Sequence, residues 1–335
     1  MAQAAPPLNT VPSTLLHGPI IQAEGLTKKF GEQFAVQDIT FQIPRGSIFG
    51  FIGPSGCGKT TTVRLLTGIY TPTGGDALVL GHRPTTFTQS TREQIGYMPQ
   101  QFVLYPELTV WENLNFAASL YGMGRERKQR MTELLAFMEL SEDKNKLVRQ
   151  ISGGMQRRLS LASTLLHDPE LLFLDEPTAG LDPVLRRKVW DHFNVLKAEG
   201  RTLFVTTQYV GEAAYCDYVG MMAEGRLLMV ETPEGLRRRA FGGEVIDLSL
   251  VEPISYEHHI RPLAALPFIQ NQRVIRTGEK ELRLIVDEAS TAMPALMEWS
   301  QTQNLTIERM EEFLPPFDDV FVEIIKAVQK EPTRA

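Results

Sequence analysis

Apolar residues in this chain fall into short segments whose spacing alternates between strand and helix periods. Residues 47–52 read as a short buried strand, and 171–174 are an unbroken apolar run of strand length, the pattern of a strand buried on both faces. Ile39, Phe41 and Ile43 alternate with polar residues, which predicts a half-buried strand paired across Gly31 and Glu32 with a partner starting near Ile20. Further strands are predicted at 77–80, 94–98 and 201–207, with a hairpin of 219–222 and 226–230 around Glu224 and Gly225. Residues 71–76, rich in Gly, Pro and Thr, read as a turn.

Helical spacing fills the gaps. A helix is predicted from Lys59 to Leu66, another from the capping-box pair Thr109 and Glu112 to Tyr121, and a third over 129–140. Met155, Leu159, Ala162 and Leu166 share one helix face, and Asp182 followed by Pro183 is an N-cap with proline at the first helical position, opening a helix to about Glu199. Strands alternating with helices give an α/β core with a helical insert. Beyond residue 240 the pattern changes to strands at 245–250 and 282–286, a helix at 291–301, and a helical stripe of Phe317, Val320, Phe321, Ile324, Ile325 and Val328. This reads as a small α+β appendage. The stripe fits either packing on the chain's own sheet or a partner helix.

Composition narrows the class. The 335 residues are 43% hydrophobic and 22% charged, with a net charge of -6, so a basic nucleic-acid footprint is not expected. No apolar run approaches the roughly 18 residues that span a bilayer. The two cysteines, Cys57 and Cys216, are expected to be unpaired thiols in a reducing compartment. Residues 1–19, rich in Ala and Pro, read as a disordered tail.

Candidate chemistry concentrates at residues 53–60, which fit Gly, four residues, Gly, Lys, then Ser or Thr. Gly53, Gly56 and Gly58 allow successive backbone N–H groups to turn inward on one anion. Lys59 supplies a charge for the outer phosphates and Thr60 a hydroxyl for Mg²⁺, while the helix that starts there presents its positive end. A strand before and a helix after are what this loop requires. Asp175 and Glu176 follow the apolar run 171–174, at the strand end where α/β sheets bind ligands. There Asp175 is placed to hold Mg²⁺ through water, and Glu176 to accept a proton from water attacking a γ-phosphate; alone, such a pair is as readily a solvated turn. Ser152, Gly153 and Gly154 open a helix with small residues, a second place for phosphate. Phe30, just before a turn, is either core or a stacking surface for a base.

Taken in order, these motifs resemble the ATP-binding cassette of an ABC transporter over about residues 20–232. The resemblance implies a P-loop NTPase fold of the ABC ATPase type: a mixed sheet core, an antiparallel β subdomain and a helical subdomain at about 101–165. The cassette is expected over 20–240, with the accessory α+β domain over 241–330. It makes Gly53-Pro54-Ser55-Gly56-Cys57-Gly58-Lys59-Thr60-Thr61 the Walker A cradle for ATP, Gln100 the Q-loop residue, Ser152, Gly153 and Gly154 the signature, and Asp182 part of the D-loop. Phe30 takes the adenine-stacking position. Thr60, Gln100 and Asp175 become the Mg²⁺ set, and Glu176, Lys59 and Gln208 the catalytic set. Two departures stand out: Met155 where many members carry Gln, and Gln208 at the usual switch His, which donates a hydrogen bond but carries no positive charge.

The family resemblance further implies a head-to-tail pair of cassettes with ATP between them, and a separate transmembrane permease chain at the cytoplasmic face of the membrane. Residues 205–213 with Cys216 and Asp217 resemble the drug-exporter branch most. The alternative is a soluble ABC-type ATPase acting on ribosomes or DNA; the paired cassettes or long coiled coils of such proteins are not visible in this sequence.

Overall fold

A computed structural model describes residues 18–330, the side chains of 271, 272 and 328–330 excepted. Residues 1–17 of the expected tail and the Val328 side chain lie outside the described residues. The chain divides into two compact units, one ending at Glu231 and the next beginning at Thr232.

In the first unit, β1 (Ile21–Phe30) and β2 (Gln33–Ile43) form a hairpin. β3 (Ile48–Ile52) runs into the glycine-rich loop and α1 (Lys59–Leu66) leaves it; β4 (Gly74–Val79) then adds to the other side of β1. A short α2 (Gln89–Glu93) precedes β5 (Ile95–Met98). Next comes the helical block of α3 (Val110–Leu120), α4 (Arg127–Phe137) and α5 (Gly153–Leu165). The unit closes with β6 (Leu171–Asp175), α6 (Pro183–Ala198), β7 (Thr202–Thr207), β8 (Tyr218–Ala223) and β9 (Arg226–Glu231). The main sheet has the order β5-β6-β7-β3-β8-β9, parallel from β5 to β8, with β9 antiparallel at the edge.

The two sheets of this unit share one core. Phe41 of β2 stacks on Phe49 at 5.8 Å between centroids, and Phe204 lies 5.4 Å from Phe49, 5.3 Å from Phe51 and 5.6 Å from Phe173. Burying these rings fixes β3, β6 and β7 side by side, so the loops at their carboxyl ends start from a rigid base.

One sequence expectation fails locally. Gly74, Gly75 and Asp76 were expected in a turn, yet they begin β4, because Gly74 pairs with Thr27 and Asp76 with Glu24 of β1. A Cβ on Gly75 would stand 2.1 Å from the Gly25 carbonyl oxygen, so the glycine serves a close strand crossing.

In the second unit, α7 (Pro233–Phe241) is followed by β10 (Glu244–Leu250), a short α8 (Arg261–Ala264), β11 (Ile269–Arg276), β12 (Glu281–Val286), α9 (Ala289–Thr302), β13 (Ile307–Phe313) and α10 (Phe317–Lys330). From β10 to β13 the path is βαββαβ with antiparallel order β11-β12-β10-β13, the split βαβ arrangement. Ile246, Leu248, Leu282 and Leu284 meet Leu263, Ala292 and Leu296 in its core. The terminal stripe is met within the chain, chiefly by α7: Phe317, Val320 and Ile324 are buried, and the Arg237 guanidinium lies 4.1 Å above the Phe317 ring. That contact is why the division falls before α7 and not at the 240/241 boundary expected from sequence.

Phe204→Ala should destabilise the first unit by about 3–5 kcal/mol, the usual cost of emptying a buried aromatic site. Urea unfolding followed by tryptophan fluorescence, with Trp299 of the second unit replaced by Phe so that the signal comes from this unit's Trp111 and buried Trp190, will show the fall in midpoint.

Candidate nucleotide site

Four neighbouring parallel strands deliver the candidate residues to one edge of the main sheet. β3 leads into residues 53–60, β5 into Gln100, β6 ends in Asp175 with Glu176 next, and β7 is followed by Gln208. This sheet edge is therefore the site.

The glycine-rich loop is shaped by close contacts. A Cβ on Gly53 would meet the Met222 carbonyl oxygen at 2.2 Å, and one on Gly58, at φ 112°, would meet the Ala35 carbonyl oxygen at 2.4 Å. Neither position admits a side chain without moving backbone. Lys59 is buried, and its Nζ donates to the carbonyl oxygens of Gly53 at 2.7 Å and Pro54 at 3.1 Å. The ammonium is thus held inside the loop it serves. Cys57 is buried beside it; burial pushes the thiol above its ordinary range despite the Lys59 charge. Ser55 Oγ donates to Gln208 Oε1 at 2.9 Å, which brings the switch position onto the loop.

The two carboxylates are nearly out of water. Asp175 is fully buried and accepts from the Thr206 hydroxyl, while its Oδ2 has no hydrogen-bond partner among the described residues. Glu176 is 8% exposed, and its Oε2 accepts from Gln100 Nε2 at 3.2 Å. Its backbone is left-handed, φ 54°, and its N–H donates to the Thr206 carbonyl oxygen at 3.0 Å and hydroxyl at 3.1 Å.

The orphaned, buried Asp175 oxygen has the hard-oxygen chemistry that suits a cation such as Mg²⁺, and the Gln100 amide and Thr60 hydroxyl, expected to join it, are oxygen donors of the same kind. With its amide nitrogen on Glu176, Gln100 has its oxygen left for a metal.

Ser152 caps α5, accepting from Met155 N–H at 3.3 Å, and an added Cβ on Gly154 would stand 3.7 Å from the Gly180 carbonyl oxygen. Asp182 caps α6; the N–H groups of Leu185 and Val184 donate to it at 3.0 Å and hold its carboxyl below the usual range. The main neighbours of α5 are α3, α4 and β5, whereas those of α1 are β2, β4 and β6. The helices that carry the signature turn and the phosphate loop thus pack on different elements. Phe30 is half exposed and edge-on to Tyr70 at 5.4 Å, and the Tyr70 hydroxyl accepts from Arg64 of α1.

Sequence reasoning missed Thr206, Arg157 and Glu212. Glu212 is buried, accepts from the Thr178 hydroxyl at 2.7 Å and lies 3.9 Å from Arg186 Nε, whose guanidinium stacks 4.4 Å from the Tyr209 ring. The one cue for Glu212 is an acid in the short turn after Gln208; nothing local names its partners.

Comparison with known proteins agrees with this geometry. The family described as ABC transporter matches residues 36–179. The probable multidrug ABC transporter ATP-binding protein YbhF of Escherichia coli (strain K12) is 40% identical over 229 residues, 68% of this chain and 40% of that protein. This chain thus spans less than half of that relative's length. The daunorubicin resistance ATP-binding protein DrrA3 of Streptomyces coeruleorubidus is 33% identical over 308 residues, 91% of this chain and 95% of that protein. A solved dimeric cassette in a post-hydrolysis state, bound to ADP and Pi, matches with a TM-score of 0.58 at 27% identity, covering 63% of this chain and 98% of that one. With a phosphate-loop sheet edge of this construction and a likeness to DrrA3 running nearly end to end, the chain belongs to the ABC transporter family, among its ATP-binding proteins.

Proposed function

We propose that this chain binds and hydrolyses Mg-ATP and powers a separate transmembrane permease in an exporter, working as one of two cassettes that close on the nucleotide. The observation that carries the reading is the convergence of the phosphate loop, Gln100, Asp175, Glu176 and Gln208 at the carboxyl ends of adjacent parallel strands.

Each group then has a task. The triphosphate displaces the Gly53 and Pro54 carbonyls from Lys59, whose charge passes to the outer phosphates. Phe30, beside Tyr70, offers a face to adenine. Glu176 takes the proton of the attacking water as its oxygen bonds to the γ-phosphorus and the bond to the ADP oxygen breaks. Gln208, its oxygen held by Ser55, has an amide nitrogen to donate to the γ-phosphate. When bound, Mg²⁺ held by Thr60, Gln100 and Asp175 would supply charge neutralisation on the phosphates.

The likeness to a solved dimeric cassette favours a composite site, in which Ser152, Gly153 and Gly154 of a second cassette, with its Asp182 segment close by, complete the first. A permease contact is supported by the surface after Gln100: Val103 is 75% and Leu120 65% exposed, and Tyr105 and Phe116, edge-on at 4.8 Å, are exposed too. Apolar exposure of this kind asks for cover. Among the described residues no helix is long and apolar enough to cross a membrane, so attachment to the cytoplasmic face would come through the permease. The relatives' names favour drug-like cargo and transport over the ribosome or DNA alternative.

Glu176→Gln should retain Mg-ATP binding but lower kcat by roughly 10²–10⁴, the usual worth of a general base. It should also leave an ATP-dependent dimer that persists in gel filtration; full turnover by this variant removes Glu176 from its role.

Gln208→Ala should lower kcat by about 10²–10³-fold through loss of one γ-phosphate donor, and Gln208→His should restore at least wild-type turnover. Steady-state phosphate release reads both, and an unchanged Gln208→Ala rate removes the donor role.

A further inference from the structure

The guanidinium of Arg157 sits where three segments meet. It belongs to α5, and its Nη1 donates to the carbonyl oxygen of Glu176 at 3.0 Å. Its Cζ lies 5.0 Å from the centre of the Phe102 ring. Phe102 stands two residues beyond Gln100, whose amide donates to the carboxylate of that same Glu176. One side chain therefore spans the signature helix, the segment after β5 and the end of β6.

The Glu176 backbone needs such a hold. Its left-handed φ of 54° is unfavourable for a residue with a Cβ and persists only where neighbours enforce it. Thr206 of β7 fixes the N–H side through its carbonyl and hydroxyl. Arg157 fixes the carbonyl side. Burial draws the Arg157 pKa down while the charges of Glu176 and Asp175 oppose it, so the cation stays in a partly dry place because the acids are there.

We propose that Arg157 is a positioning residue for Glu176: it holds the peptide that aims the carboxylate, and through Phe102 it ties that peptide to the exposed apolar segment following Gln100. Arginine suits the task because its planar fork can donate and stack together, which an ammonium cannot. A shift of α5 or of the Phe102 segment then reaches the base directly. The inference rests on the reading of Glu176 as general base, and its test separates the two.

The full chain is measured for Mg-ATP turnover and for mant-ATP affinity as wild type, Arg157→Met, Arg157→Lys, Glu176→Gln and the double variant Arg157→Met/Glu176→Gln. Arg157→Met is expected to lower kcat by about 10–100-fold, the scale of a small misplacement of a catalytic group, with KM and mant-ATP affinity unchanged. Arg157→Lys, which keeps one donor, should recover part of the loss. In the Glu176→Gln background, with phosphate release followed over hours, Arg157→Met should add little, since it acts through the group already removed. Full turnover by Glu176→Gln sinks the reading of Glu176 itself. If that variant is slow but Arg157→Met matches wild type, changes KM instead of kcat, or imposes its full loss on top of Glu176→Gln, the positioning role is overturned. If Arg157→Met melts several degrees early, Phe102→Leu replaces it: a smaller kcat loss at unchanged KM supports the role, and no loss overturns it.

Discussion

Two adjacent carboxylates almost wholly out of water, at the end of a buried strand, are the constraint to which the rest of this site answers. Moving an ionised carboxylate into a protein interior costs several kcal/mol unless hydrogen bonds or opposite charge compensate. Asp175 receives the Thr206 hydroxyl on one oxygen and, among the described residues, no donor on the other; Glu176 receives Gln100, with the Arg157 cation alongside. The compensation is incomplete on Asp175, and a structural ion pair would not have been left so. On the proposed reading, that oxygen is the one a cation would take.

That arrangement demands a stiff frame. Thr206 reaches Asp175 and Glu176 only if β6 and β7 stay in register, Asp175 opposite Thr206, and the register is fixed by the ladder and by Phe173 and Phe204 packed between the sheets. Gln208 meets Ser55 for the same reason, since β7 and β3 pair with Thr207 opposite Ile52. The phenylalanine core and the polar edge are one construction: a slip by one residue would turn the rings outward and carry the acids off their donors.

Much of this was legible in the sequence because it is local. The glycine-rich loop, the acids after 171–174, the Thr109–Glu112 capping box and the Asp182 cap each depend on residues within a few positions, and each is found where its pattern put it. What was not legible is contact across the chain. Arg157 and Glu176 are 19 positions apart, Thr178 and Glu212 34, and neither pair has a spacing that announces it. In the second unit β13 escaped notice because its residues are mostly charged and a register shift near Leu250 breaks the two-residue alternation. Gly74 and Gly75 misled because a glycine pair signals a turn as readily as a close strand crossing.

The same distinction between local and distant parts bears on the proposed pairing of two cassettes. Lys59 already has carbonyl partners inside its own loop, so a nucleotide must offer more than a charge to displace them. Donors at the start of α5 could supply the difference, yet α5 packs on α3, α4 and β5 while α1 packs on β2, β4 and β6. If those donors come from a second chain, nucleotide binding and cassette pairing are linked equilibria: each strengthens the other by the same free energy, and cleaving the γ-phosphate weakens both at once. Arg157 and Phe102 stand on the path between that helical block and the base, which is where a permease pressing on the exposed surface after Gln100 would make itself felt.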